Sequence, residues 1–201
     1  NIDGWDLSNV IYADSMFEDC NTISSITLEH RPFKKIASAN QMFKNCTNLT
    51  ELHFNWECIF ESLAAANEMF SGCENMNVLE IPNFDVRRIG TSLSQGHLET
   101  DMRDIFKYCF SLETIKLNNF KIDNEVSPPS DIIVVTDLAD YRFEYFFDTL
   151  RNWASNLKHI EMRNFNNPPI TSMKGMFKYF TNVETIDLDG ASTENITDMS
   201  E

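Results

Sequence analysis

Five cysteines and four histidines are the side chains of this 201-residue chain best suited to chemistry, as nucleophiles, general bases or metal ligands. Spacing decides their use. No two cysteines form a close C-x-x-C pair, so nothing resembles a zinc or redox motif. Cys20, Cys46, Cys73 and Cys109 instead each close an apolar quartet whose last site holds Leu150 and Phe180 in two further copies. A site that accepts Leu and Phe is a packing site, and a free thiol behaves there as a small hydrophobe. Cys58 stands in an irregular segment and is expected to be partly exposed. His30, His53, His97 and His159 fall in different repeats. His53 and His159 both project from expected strands, but three spacings of about 4.8 Å apart they share no ligand. No Ser/His/Asp or Cys/His arrangement and no phosphate loop can be assembled, and Asp187 and Asp189 need no catalytic role in so acidic a chain. The reading is therefore of no enzyme, metal or cofactor.

What positions these residues is a repeat. The quartets, at i, i+3, i+4 and i+7, are Ala13, Met16, Phe17, Cys20; Ala39, Met42, Phe43, Cys46; and Ala66, Met69, Phe70, Cys73. They continue as Met102, Ile105, Phe106, Cys109; Phe143, Phe146, Phe147, Leu150; and Met173, Met176, Phe177, Phe180. This spacing predicts one face of a short helix. Each quartet is followed by apolar residues with a strand's period of two, such as Ile26 and Leu28, Leu52 and Phe54, or Ile115 and Leu117. An aromatic or small residue then turns the chain back: Trp5, Phe84, Phe120, Phe165 and Ala191, with Phe33 and Trp56 or Ile59 as substitutes in the first two copies. The fifth copy carries a four-residue insertion within residues 151–156.

A helix of about two turns is marginal in water, so each unit must bury its apolar face on its neighbours. The predicted fold is α/β: a leucine-rich-repeat solenoid with a parallel β-sheet on one face and short helices on the other. Residues 1–201 form a single stack of about six repeats, and both ends match the inside of a repeat, as in a segment of a longer array.

The balance of 31 acidic to 16 basic residues, net −15, opposes binding to nucleic acid or to an anionic membrane surface. The longest apolar run, Ile132, Ile133, Val134 and Val135, is far short of a membrane span, so no membrane insertion is expected. Asn45, Asn48 and Asn195 head glycosylation sequons, a motif frequent by chance in an Asn-rich chain.

Residues flanking the buried strand positions must point outward, and partner contacts are expected on that sheet face at His53, Glu80, Lys116, His159, Glu161 and Arg163. A second candidate is the edge carrying two expanded linkers, 85–101 and 121–142, which lengthen the strand-to-quartet link from 8 positions to 18 and 23. Clustered insertions commonly build binding sites on repeat scaffolds; here Pro128, Ile132, Ile133 and Val134 are the candidate contacts.

The phrases Met42-Phe43-Lys44-Asn45-Cys46-Thr47-Asn48-Leu49, Met69-Phe70-Ser71-Gly72-Cys73 and Trp5-Asp6-Leu7-Ser8-Asn9-Val10 resemble the repeat of BspA-like leucine-rich proteins. The resemblance covers nearly all the chain outside its loops. Copies five and six depart from it in lacking the Cys, and two linkers are much longer. It implies a surface-displayed or secreted recognition and adhesion module whose partner is a protein or glycan on another surface. The alternative is an intracellular scaffold or effector segment that binds a partner protein.

Overall fold

The computed structural model describes residue 2 and residues 4–28, 30–89, 104–121, 138–165 and 172–200, with backbone alone for Thr27 and residues 138–145. Six short strands form one all-parallel sheet in sequential order: β1 (Ser25–Leu28), β2 (Glu51–Phe54), β3 (Val78–Glu80), β4 (Thr114–Lys116), β5 (His159–Glu161) and β6 (Thr185–Asp187). The class is α/β, with helix α1 (Leu138–Trp153) between β4 and β5. The register aligns the copies residue for residue. Ile26, Leu52, Leu79, Ile115, Ile160 and Ile186 form one column, and Thr27, His53, Glu80, Lys116, Glu161 and Asp187 form the next. Period-two alternation puts the first column inward: Leu52, Leu79 and Ile115 are fully buried.

The quartets do not form helices in copies one, two, three, four and six; their described residues run as consecutive turns. Two observations explain the correction. The first is where the backbone donors go. In copy one Ala13, Ser15, Phe17 and Asp19 donate to the carbonyls of Ser38, Asn40, Met42 and Lys44 in the next copy at 2.8–2.9 Å, while Met16, Glu18 and Cys20 donate three residues back within their own copy. An α-helix would send every donor to its own carbonyl four residues back. Here alternate donors stitch neighbouring copies together. The second is the backbone itself: φ is positive at Ser15 and Asp19, at Gln41 and Asn45, at Glu68 and Gly72, and at Gly175 and Tyr179. A left-handed residue third in a four-residue turn is the mark of a type II turn, and it breaks any helix. Tandem turns and a helix share the 3–4 spacing of apolar residues.

Only the fifth copy is helical among the described quartets. Its residue before the last quartet site is Thr149, β-branched and costly at positive φ; inside α1 its hydroxyl donates to the Phe146 carbonyl at 2.9 Å. The insertion extends α1 to Trp153, after which Ala154 N–H closes on the Leu150 carbonyl at 2.8 Å.

The core lies between sheet and turns and is built of aromatic files. Phe17, Phe43, Phe70 and Phe106 stack with centroids 5.2, 5.9 and 5.8 Å apart, and Phe84, Phe120 and Phe165 form a second file. Offset stacking of this kind adds about 0.5–1.5 kcal/mol per pair beyond area burial. The turn-back position of copy two is filled by buried Phe60, edge-on to Phe54 and Phe84, and not by Trp56 or Ile59. The link from Phe54 to Ala66 is one residue longer than that from Leu28 to Ala39, and the register shift turns Trp56 outward. Trp5 is half exposed.

Side-chain ladders reinforce the stack. Asn48, Asn75 and Asn182 donate from Nδ2 to the carbonyls of Asn21, Thr47 and Ser155 in the preceding copy, at 2.6–2.8 Å. The thiols of Cys46, Cys73 and Cys109 donate to the carbonyls of Phe17, Phe43 and Phe70 at 3.1–3.2 Å. Cys58 is fully buried, its sulfur accepting the Phe33 N–H at 3.4 Å, which corrects the expectation of partial exposure.

Candidate functional site

The strands present the expected sheet-face residues as two charge networks. His53 lies between carboxylates: Nδ1 is 3.0 Å from Glu80 and Nε2 is 3.6 Å from Glu51. Lys116 reaches the same Glu80 oxygen at 3.9 Å. A histidine oriented by a carboxylate is half of a general-base pair, but here both ring nitrogens face carboxylates. The second network joins Arg163 to Asp187 at 2.8 Å and to Glu161 at 3.8 Å, while Asn118 donates to Glu161 at 2.7 Å. The Asp189 backbone N–H and then the Arg163 guanidinium hold the Asp187 carboxyl below its ordinary range, and the hydrogen bond to Asp187 raises Arg163. His159 is apart from both, with Nδ1 2.8 Å from the Thr185 hydroxyl. The face is therefore occupied by its own ion pairs, each modest because it is exposed.

Pro128, Ile132, Ile133 and Val134 lie outside the described residues, as do His97 and Met102. The buried thiols offer no nucleophile: desolvation pushes Cys46 up to about 12 and Cys58 up to about 11, and raises Cys73 and Cys109 as well. Among the described residues no group of three His, Cys, Asp or Glu side chains is placed to hold a metal ion, and no helix is long and apolar enough to cross a membrane.

Two surfaces that the sequence reading missed stand out by exposed aromatics. One is a groove made of two clefts that share Lys34, on the edge where the chain leaves the sheet. A cleft of about 470 Å³ is lined by Trp56, Lys34, Asn83 and Lys121 among others, and a second of about 320 Å³ runs from Trp5 past Arg31 to the same Lys34. Trp56 is 73% exposed and Ile59 42%. Its backbone is nonetheless fixed, since the Trp56 carbonyl accepts from Asn83 Nδ2 at 2.7 Å and Cys58 N–H donates to the Asn55 carbonyl at 3.0 Å. The signal for this site was the extra residue in the link and the doubled candidate for its core position.

The other is a trio of rings. Trp153 of α1 meets Tyr108 edge-on at 4.8 Å and Phe110 at 6.1 Å, and both partners are more than 40% exposed. Tyr108 has φ +63° in the column where other copies place Asp19, Asn45 and Gly72, and Phe110 replaces a polar residue after the Cys. The rings pack on one another, with Tyr108 and Phe110 also 5.8 Å apart.

Residues 1–84 and 141–201 match a family described as Mycoplasma protein of unknown function, DUF285. The chain belongs to that family. The match leaves out residues 85–140, which hold both expanded linkers nearly whole together with Tyr108, Phe110 and Lys121. The DUF285 pattern therefore covers Trp5 and Trp56 of the groove but not its Lys121, and Trp153 of the trio but not its two ring partners. No curated protein and no solved structure matches the chain.

Proposed function

We propose that this chain is a non-enzymatic recognition module: a leucine-rich-repeat solenoid of the BspA-like kind, displayed on a cell surface or secreted, that engages a protein or glycan on another surface. One observation carries the reading. Trp5 and Trp56 stand out into open clefts from a frame whose backbone donors are tied copy to copy. Exposed tryptophan on a rigid support is the residue type that dominates binding energy when a partner covers it, and a rigid frame lowers the entropy lost on binding. The parallel sheet in sequential order, the asparagine ladder and the recurring Phe and Cys columns support the solenoid reading.

The sheet face is the weaker candidate surface. A partner docking there would have to displace Glu80 from His53 and Asp187 from Arg163 or desolvate them as pairs. Display is tested by treating intact source cells with a non-penetrating protease and identifying the released peptides. Peptides of this chain in the released fraction are expected. Their recovery only after lysis would overturn surface display in favour of an intracellular scaffold.

A further inference from the structure

The groove between Trp5 and Trp56 has a charge balance unlike the rest of the chain. Its walls carry Arg31, Lys34 and Lys121 against Asp6, Glu57 and Glu61. Three cations face three anions, in a protein whose net charge is −15. The pairs are loose: Lys34 is 3.8 Å from Glu57 and Lys121 is 3.6 Å from Glu61. The groove thus exerts little net pull on an ion of either sign. It offers an exposed indole at each end, with carboxylates, ammonium groups and the Asn83 amide also in its lining. An apolar peptide anchor would need a closed, desolvated pocket, whereas both clefts are open and walled mainly by polar groups.

These are the groups that a neutral sugar satisfies. The C–H face of a pyranose ring lies against an indole, and its hydroxyls donate to carboxylates and accept from ammonium and amide N–H. Trp5 and Trp56 belong to links two copies apart. Two strand spacings amount to about 10 Å, which calls for a chain of rings and not a single one. Trp56 is available for this because Phe60 has taken its place in the core.

We propose that the groove binds a neutral oligosaccharide, with Trp5 and Trp56 as stacking platforms and Glu57, Glu61, Lys34 and Asn83 as hydrogen-bonding partners of its hydroxyls. The assignment rests on the recognition reading above and gives its partner a chemical class.

The test is a titration of the full chain with cellohexaose, chitohexaose and maltohexaose as neutral probes and a heparin hexasaccharide as an anionic one, followed by tryptophan fluorescence and calorimetry. At least one neutral probe is expected to bind saturably. Trp56→Ala should weaken it by about tenfold or more, and Trp153→Phe, remote in the aromatic trio, should leave it unchanged. Folding of Trp56→Ala is checked by its urea midpoint. Should that midpoint move, Glu61→Gln serves as the second variant and is expected to weaken binding too. The proposal is overturned if no neutral probe binds at millimolar concentration, if heparin alone binds, or if the groove variants bind as the parent does. If the sugars fail while enzymatically deglycosylated glycoproteins still capture the chain, the glycan assignment falls and the recognition reading stands. If neither binds, both fall.

Discussion

Replacing Gly72 by alanine distinguishes tandem turns from helices by the sign of its effect. Gly72 has φ +77°, and a Cβ built on it would lie 2.5 Å from Asn45 Oδ1 and 3.2 Å from the Asn45 backbone. Holding alanine in the left-handed region costs about 1–2 kcal/mol. The shortest contact is with the side-chain oxygen, and the backbone atoms at 3.2 Å must also give; overpacking of this kind costs about a further 1–3 kcal/mol. It also pushes on Asn45, whose Nδ2 donates to Asp19 at 2.8 Å. Gly72→Ala should therefore destabilise the fold by roughly 2–5 kcal/mol. Gly175 is the internal control: φ is +64°, but its added Cβ would meet only Lys178 side-chain carbons at 3.9 Å. Gly175→Ala should cost only the conformational part, about 1–2 kcal/mol. Both are read from urea unfolding curves, as midpoint shifts at unchanged slope. In a helix the same substitutions would stabilise by about 1 kcal/mol. A gain in stability at either glycine, or equal losses at the two, would refute this account of the turns.

Phe60→Ala should cost about 3–5 kcal/mol, as for a fully buried ring, while Trp56→Ala should stay within about 0.5 kcal/mol, as for a surface change; the reverse order in urea unfolding would return Trp56 to the core. The buried thiols make the fold alkali-sensitive. Their folded-state pKa values lie above the ordinary 9.0, Cys46 at about 12 and Cys58 at about 11, so their stabilising contribution is complete below pH 9 and is lost as pH rises toward those values. By pH 10 each such thiol removes about 1.4 kcal/mol, and Cys46→Ala should lose correspondingly less stability between pH 7 and pH 10 than the parent. Equal losses would mean the thiol ionises alike in both states. On the acid side Asp187, held low by Asp189 N–H and Arg163, contributes above its ordinary value of 3.8 and loses that contribution as pH falls through its folded value. Asp187→Asn should flatten the acid limb of the stability profile, and an unchanged limb would count against the pairing.

Much of the architecture was legible in the sequence because period two has a single meaning. The column of His53, Glu80, Lys116 and Glu161 is that of the observed register. The quartets misled because their spacing has two meanings, and the discriminating signal lay in the residue before the Cys. Asp19, Asn45 and Gly72 are types that tolerate positive φ, Tyr108 and Tyr179 take it in two further copies, and the β-branched Thr149 marks the helical one. The site was less legible still. Charged residues on the strands looked available, yet each of His53, Lys116 and Arg163 is held by carboxylates on its own or a neighbouring strand. The groove was hidden because Trp56 and Phe60 compete for one core position, and only packing against Phe54 and Phe84 decides which enters.

The recognition claim meets its most direct test in capture of the chain on a panel of immobilised glycoproteins by interferometry. The parent is compared with a groove variant, Trp5→Ala with Trp56→Ala, and a sheet-face variant, Lys116→Ala with Arg163→Ala. Saturable capture that the groove variant loses and the sheet-face variant keeps is the predicted result. Absence of capture across the panel, or capture lost only when the sheet face is changed, would contradict it.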